Sequence, residues 1–470
     1  MLPANENDSR ISLWLRVREY AVPPSMIETA TARRLVGDWG GACAAAGFDV
    51  DIHLRALART HGRALATRVR SDLRYLAPDL LRWHMPRIAP DGLLRPGLTL
   101  TLARYRSDDE TRCDSAGPVH LVVRTAPAWA DAGQRISLSL WDESGTDGGP
   151  HPHATPDRRF RLDLHRHLWD ARRSDELRIR SGAAQFDANP GPVPEFAADA
   201  PPGSAVGRWA AEAAELLHDT GDSTGPLLIR LGSRHHFVVE LRQDSNNVPA
   251  LDITPDYPRG LESALPMLPH AATWTPPDLE LLRANAITPD RLHPLVAAAL
   301  APNPPPSAAS LPSVDSSSAH SACATTPPSD PRVVECRGAR HRIGLRGGVL
   351  TALDHPPEEI RREELLVALS GTPLPCLQAI DRAHRHPDCL AGVRERLSHG
   401  DIGGALAVVE ELLGPGAALR EGALRDALEA AARRRITYGL FRAGLTGFEP
   451  RAPRPPRPPH RTHPRHATRD

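Results

Sequence analysis

The chain has 470 residues, of which 40% are hydrophobic and 24% charged, and its 57 basic and 57 acidic residues cancel to a formal net charge of zero. This length favours about three domains, and the composition is typical of a globular chain. Every basic residue is arginine. The lack of lysine excludes P-loop NTPases, pyridoxal-phosphate enzymes, protein kinases and S-x-x-K acylases, which all depend on a lysine side chain.

The N-terminal stretch MLPANENDSR has none of the features of a signal peptide, and no apolar run reaches ~18 residues. We therefore expect no membrane segment. Six cysteines without a secretory signal favour reduced thiols in the cytoplasm.

A proline- and serine-rich segment, residues 301–332, divides the chain. It holds eight prolines and eight serines and too few large apolar side chains to offset the entropy of ordering, so we expect a disordered linker. The sequence predicts an α+β chain with these parts: an N-terminal unit at 10–300 (helical at 25–86, strand-rich at 97–241), the linker, a small α+β C-terminal domain at 333–448, and a disordered Arg/Pro tail at 449–470.

The N-terminal unit begins with Ile11–Tyr20, whose alternation predicts a strand. Helical patterns follow from Ser25 to about His84, with breaks at Gly37, Gly62 and Pro78. Further elements are predicted as strands at 98–102, 120–123, 136–141 and 160–164, a helix at 204–218, and a hairpin of PLLIR with HHFVVEL.

The C-terminal domain begins with a predicted three-stranded meander, RVVEC, RHRIGL and GVLTAL. Its first helix starts at Pro356–Pro357 and ends at Gly371. In the last helix, apolar residues recur every four positions from Leu424 to Leu440. This stripe either packs into the domain core, or its end docks on a partner through Leu440, Phe441 and Leu445.

Two glycine–aspartate turns share a pattern: residues 34–42 are RLVGDWGGA and residues 396–405 are RLSHGDIGGA. Glycine adopts the left-handed conformation that ends one helix, and aspartate caps the next. Each stretch predicts a helical hairpin and resembles the inter-helix turn of tetratricopeptide repeats over about twenty residues. The resemblance implies a helical surface for a protein partner; two ordinary hairpins are the alternative.

The stretch GDSTGPLL, residues 221–228, resembles the nucleophile loop of trypsin-type serine proteases. Thr224 replaces a glycine of the oxyanion turn, and His84, the candidate base, lies in a helical pattern. A polar turn between a helix and a strand is the favoured interpretation.

Histidine pairs with chelating spacing are a further group of candidates, as is a C-terminal Cys/His set. The candidates are His151/His153, His165/His167 with Asp163 or Asp170, His384/His386, and Cys376, His384, His386 and Cys389. Cys376 and His384 on one helix would lie about 12 Å apart, too far for one ion. We predict no catalytic, cofactor-binding or metal-ligating residue.

These observations favour a non-catalytic interaction or scaffold protein that binds another protein through helical surfaces. A metal-dependent or other hydrolase with an unmarked active site is the alternative. The third hypothesis is a nucleic-acid-associated factor, because the tail carries six arginines against Glu449 and Asp470.

Overall fold

The chain is described by a computed structural model. The described residues are 3–106, 117–131, 133–142, 151–183, 195–198, 200–232, 235–243, 248–255, 257–258, 260–301, 332–371 and 373–445. The predicted tail and, apart from residues 301 and 332, the predicted linker lie outside these ranges. The α+β prediction is confirmed, since helices alternate with several small, mostly antiparallel sheets. Within these ranges no helix combines the length and apolarity that crossing a bilayer requires.

The helices and strands are numbered in chain order. The helices are α1 Pro3–Arg16, α2 Pro24–Leu35, α3 Trp39–Ala45, α4 Leu54–Thr60, α5 Arg63–Tyr75, α6 Pro78–His84, α7 Leu177–Arg180, α8 Trp209–Thr220, α9 His270–Thr273, α10 Pro277–Arg283, α11 Pro294–Leu300, α12 Pro357–Ser370, α13 Pro375–Arg385, α14 Leu390–His399, α15 Ile402–Leu413 and α16 Ala423–Arg442. The strands are β1 Phe48–Asp51, β2 Arg87–Ile88, β3 Leu93–Leu94, β4 Thr99–Tyr105, β5 Val119–Thr125, β6 Ile136–Trp141, β7 Gly225–Arg230, β8 His236–Gln243, β9 Pro249–Ile253, β10 Arg332–Cys336, β11 Ala339–Arg346 and β12 Val349–Ala352.

Three sheets, each packed against helices, organise the fold. The first has the order β1-β6-β5-β4, in which β1 pairs parallel with β6 and the other pairs are antiparallel. Strands β4 and β5 are buried on both faces, and they share a core with α1, α5 and α6 that includes Trp83 and Trp169. The second sheet, β7-β8-β9, packs against α8 around Trp209. The third, β10-β11-β12, packs against α13 to α16.

Residues 11–20 form helix and not the predicted strand: α1 runs through Arg16, and a π-helical turn, Val17–Ala21, continues it. Leu13, Val17 and Ala21 are buried at four-residue spacing, which only a helix presents on one face. The apparent alternation in ISLWLRV was coincidental.

Residues 160–164 are also not a strand, since only a single bridge joins Arg161 to Thr101. Phe160 and Leu162 still enter the core, but the backbone turns at once, with the His165 amide donating to the Leu162 carbonyl. The short strands β1, β2, β3 and β9 were not predicted from the sequence. The hairpin of β7 and β8, the C-terminal meander, and α12 with its left-handed Gly371 are confirmed.

Both glycine–aspartate hairpins are confirmed, and their geometries agree closely. Gly37 and Gly400 have φ angles of 80° and 87°. Asp38 then accepts a hydrogen bond from the amide three residues on at 2.8 Å, and Asp401 does the same at 2.9 Å. Each aspartate caps the helix that follows it.

A buried arginine joins the C-terminal helices to the N-terminal unit. The Arg82 guanidinium donates to the carbonyls of Ala21 at 2.9 Å, Gln134 at 2.7 Å and His399 at 2.9 Å. Burial lowers the pKa of Arg82 to about 10, so the group remains charged at neutral pH. Three carbonyl dipoles, one of them from the end of α14, therefore stabilise this charge.

The last helix makes two different contacts. Its first turn enters the C-terminal core through the fully buried Leu424. At its other end Phe441, only 5% exposed, packs with Ala126 and Ala130 of the N-terminal unit, and the Tyr438 hydroxyl donates to Asp49 at 2.6 Å. The proposed anchor Phe441 is thus occupied within the chain and is not free for a separate partner.

We predict that this contact holds the two parts together without the linker. A chain with a specific protease site inserted between residues 301 and 332 should give two halves that coelute in gel filtration. Phe441→Ala should separate them at micromolar concentration, because truncating a buried aromatic side chain costs about 3–5 kcal/mol. Leu440→Ala, which alters a neighbouring side chain that is 40% exposed, is the matched control. Wild-type halves that elute separately would contradict this docking.

Candidate anion-binding site

The N-terminal unit contains a cavity of about 410 Å³ between α1, the end of β7 and α9. Its described lining includes no aspartate or glutamate. The arginines in the lining are Arg10, Arg87, Arg95, Arg159, Arg208 and Arg230, and the histidines are His84, His167 and His270. This volume is within the usual range for small-molecule sites, and the lining is strongly cationic.

Three of the arginines surround the imidazole of His270. Burial and the charges of Arg159, Arg95 and Arg10 lower the pKa of His270 to about 3. The amide of His270 donates to the carbonyl of Arg159 at 2.8 Å, which joins the two backbone segments. His270 is therefore neutral near pH 7, and the positive charge of the cavity comes from the arginines.

Only part of this charge is balanced by carboxylates. Arg10 pairs with Glu280 at 2.6 Å, and Arg208 bonds to Glu212 at 3.2 Å, a carboxylate that it shares with Arg180. Among the described residues no ion pair is found for Arg87, Arg95, Arg159 or Arg230. Of the last three, Arg159 is partly buried, while Arg95 and Arg230 are exposed.

Several polar atoms of the lining are buried without a hydrogen-bond partner in the described structure. They are Nε of Arg10, Arg87 and Arg159, Nε and Nη1 of Arg208, Nε2 of His84 and Nδ1 of His167. Arg208 is 8% exposed and His167 2% exposed, so bulk water does not readily satisfy these groups. Unsatisfied buried donors are costly, and an acceptor in the cavity would satisfy them.

The electrostatics of Arg159 agree with this geometry. Burial and the like charges of Arg95 and Arg230 lower its pKa, and Asp157 offsets this only in part. The three guanidinium groups therefore repel one another across a small space. A bound anion would remove that repulsion.

Another part of the cavity lining is apolar and aromatic. Trp274 lies under the guanidinium carbon of Arg10, 5.1 Å from the ring centroid, and Trp14 lies one helical turn after Arg10 on α1. Leu13, Met85 and Leu168 complete this side. The cavity thus combines guanidinium donors with a surface that fits a flat apolar group.

Two residues weighed in the sequence analysis lie in this cavity, in roles that the sequence did not indicate. His84 ends α6, and His167 sits in a 3₁₀ turn, Arg166–Leu168, that follows the predicted strand at 160–164. The arginines come from distant positions in the chain. One local pattern could have indicated the site: Arg10 and Trp14 are four residues apart and share a face of α1. The prediction of a strand from Ile11 excluded this helical spacing.

The protease-like stretch forms a turn, as the favoured interpretation predicted. Gly221 ends α8 with a φ of 93°, and β7 begins at Gly225. Ser223 is exposed between them.

Among the other histidine candidates, His153 and His386 are exposed, while His165 and His151 have protein partners. His165 Nε2 lies 3.0 Å from Glu212, and His151 contacts the Thr125 carbonyl at 3.0 Å. The proposed acidic ligands Asp163 and Asp170 each bind arginine side chains. In the C-terminal part, Cys376 and His384 do share one helix, α13, but Cys376 lies in a buried cluster with Cys336, His341 and His355.

No protein-family model, curated protein or solved structure matches this chain. The case for a function therefore depends on the geometry of the site.

Because of the buried histidines in the cavity, we predict that the folded state loses stability in acid. Burial, His293 and Arg87 lower the pKa of His84 to about 3, as burial and arginines do for His270. Because these pKa values lie below the unfolded value of about 6.5, the stability they contribute is complete above pH 6.5 and is lost as the pH falls toward 3.

Each of these two histidines should reduce the free energy of unfolding by about 2 kcal/mol between pH 7 and pH 5. Urea unfolding at both pH values measures this change. His270→Gln should remove its share of the pH dependence, while His218→Gln, on the exposed side of α8, should leave it unchanged. Equal pH dependence in His270→Gln and wild type would contradict the assignment.

Proposed function

We propose that the N-terminal unit binds a small organic anion, one that joins phosphate or carboxylate groups to a flat apolar body. The observation that carries this proposal is the group of Arg95, Arg159 and Arg230, which meets in a cavity whose described lining has no carboxylate. A guanidinium group keeps its proton at neutral pH, so this cluster, in which Arg159 is partly buried and Arg95 and Arg230 are exposed, favours an anionic partner.

The chemistry of arginine narrows the class of ligand. Its planar fork binds carboxylate and phosphate oxygens in bidentate pairs, and such charge-assisted hydrogen bonds are among the strongest in proteins. The wall of Trp14 and Trp274 supports an aromatic or otherwise flat group in the same ligand. A simple inorganic anion would contact the guanidinium groups but not the two tryptophans.

The lining supports binding more than catalysis. The described lining residues offer no serine or cysteine nucleophile and no carboxylate for general acid–base chemistry. His84 and His270 have pKa values of about 3, far below the range in which a histidine acts as a general base near pH 7. A ligand-binding or ligand-sensing role is therefore favoured over the hydrolase alternative.

The interaction-protein hypothesis stays a second proposal, and one surface supports it. Three leucines of α12, Leu365, Leu366 and Leu369, are 66%, 50% and 87% exposed. Exposed leucines grouped on one helix are typical of protein-docking surfaces.

Titration calorimetry with matched pairs of probes tests the anion proposal. Adenosine monophosphate and phenyl phosphate should bind at least tenfold more tightly than adenosine and phenol, which lack only the phosphate. Arg159→Gln should weaken binding of the phosphate probes by roughly 10- to 100-fold, the usual effect of losing a charged hydrogen bond. Trp274→Ala should weaken the aromatic phosphates more than inorganic phosphate.

Arg242→Gln is the matched control, since Arg242 is exposed at the opposite end of the same β7–β8 hairpin. It should bind every probe as the wild type does. The proposal fails if the phosphates bind no more tightly than their neutral counterparts, or if Arg159→Gln and Arg242→Gln behave alike.

A further inference from the structure

A second candidate site, independent of the anion proposal, lies in the C-terminal part of the chain. Cys336, His341, His355 and Cys376 place one potential ligand atom each within 4.8 Å of all the others. Three of the four are buried, and His341 is partly buried. These four residues are called the Cys/His cluster below.

The fold explains why the cluster forms. Val334 on β10 pairs with His341 on β11, and Cys336 lies two residues after Val334, so Cys336 and His341 share one face of the sheet. His355 follows β12 just before α12, and Cys376 lies in the first turn of α13, which packs on that face. The cluster thus joins all the main elements of the meander and its covering helix.

The two imidazoles point their nitrogens at each other. His341 Nδ1 lies 2.6 Å from His355 Nε2, and the rings are tilted edge to face with centroids 4.3 Å apart. The other nitrogen of His355, Nδ1, lies 3.1 Å from Glu359 Oε2. If Nδ1 donates to this carboxylate, Nε2 presents its lone pair to the centre of the cluster.

This carboxylate–histidine contact is the arrangement that commonly supports a metal-bound histidine. Glu359 is held in place in turn by Arg337, whose Nη1 donates to Glu359 Oε1 at 2.7 Å. The outer contacts therefore fix both the tautomer and the orientation of His355.

The two cysteines contribute the softer pair of ligands. Cys336 and Cys376 are both free and fully buried. Cys376 lies in the first turn of the 11-residue helix α13, and a bound metal ion would displace its thiol proton.

We infer that the Cys/His cluster binds one Zn²⁺ ion in a tetrahedral Cys₂His₂ site. With Zn–S bonds of about 2.3 Å and Zn–N bonds of about 2.0 Å, tetrahedral ligand atoms lie roughly 3.3–3.8 Å apart, so small side-chain adjustments close the present cluster around an ion. Zinc takes this ligand set readily, whereas calcium and magnesium prefer oxygen ligands.

The charge balance is simple. Zn²⁺ displaces one proton from each thiol and binds two neutral imidazoles, and the resulting centre carries no net charge. Because four protein ligands fill the tetrahedron, no position remains for water or substrate. The ion is therefore structural: it would fasten the meander to α12 and α13.

Metal analysis of the full chain tests this inference. Protein purified under reducing conditions should contain about one zinc ion per chain. After removal of zinc, titration with Co²⁺ should give the visible spectrum of tetrahedral cobalt with two thiolate ligands. Removing the ion should lower the melting temperature, and adding Zn²⁺ should restore it.

Variants separate the Cys/His cluster from the other C-terminal candidates. Cys336→Ser and Cys376→Ser should lose the stoichiometric metal, while Glu359→Gln should weaken its binding by roughly 10- to 100-fold and keep the tetrahedral cobalt spectrum. Cys389→Ser and His384→Asn are matched controls from the same part of the chain and should retain one ion.

Two results would overturn the inference. One is a chain whose Cys336 and Cys376 are shown by mass to be free thiols and which still binds neither zinc nor cobalt stoichiometrically. The other is loss of the metal in Cys389→Ser or His384→Asn with retention in Cys376→Ser.

Discussion

Buried positive charge that cannot be removed by proton loss is the constraint on which this structure depends. The chain has no lysine, so every buried basic side chain is a guanidinium group. A buried lysine can become neutral at moderate cost, but arginine stays charged and needs carbonyls, carboxylates or another anion around it. Arg82 meets three carbonyls, and Arg166 and Arg172 share Asp72 and Asp170.

The cavity beside α9 is where this compensation is incomplete. Glu280 and Glu212 each bond to one of its arginines. The partly buried Arg159 has no ion pair in the described structure, and neither have its exposed neighbours Arg95 and Arg230. Clusters of ionisable groups with perturbed electrostatics are typical of functional sites. The same principle explains the docking of the two parts of the chain, because the carbonyl that ends α14 completes the shell of Arg82.

Local signals made part of the fold predictable. Glycine and aspartate specify the two hairpin turns at Gly37 and Gly400, and paired glycines specify the turn between β11 and β12, because these conformations depend on a few adjacent residues. The α1 helix was mistaken for a strand because a short apolar run fits both periods, and burial of Leu13 and Val17 decides between them.

Neither site could be predicted, for a physical reason that both share. The cavity arginines lie on α1, on β2, after β3, after β6, just before α8 and at the end of β7, so only the folded chain brings them together. The Cys/His cluster has spacings of 4, 13 and 20 residues between its members and no C-x-x-C pair. Sequence spacing paired Cys376 with His384 on the same helix, where the two are too far apart. The residues that lie beside Cys376 come from the meander and cannot be recognised by spacing.

A crystal of the protein soaked in sodium bromide would test the central claim most directly, since anomalous scattering locates bromide without any assumption about the natural ligand. Uncompensated guanidinium charge predicts an anomalous peak inside the cavity, within contact distance of Arg159 and of Arg95 or Arg230. A cavity without bromide, in a crystal where exposed arginines elsewhere bind it, would contradict the account.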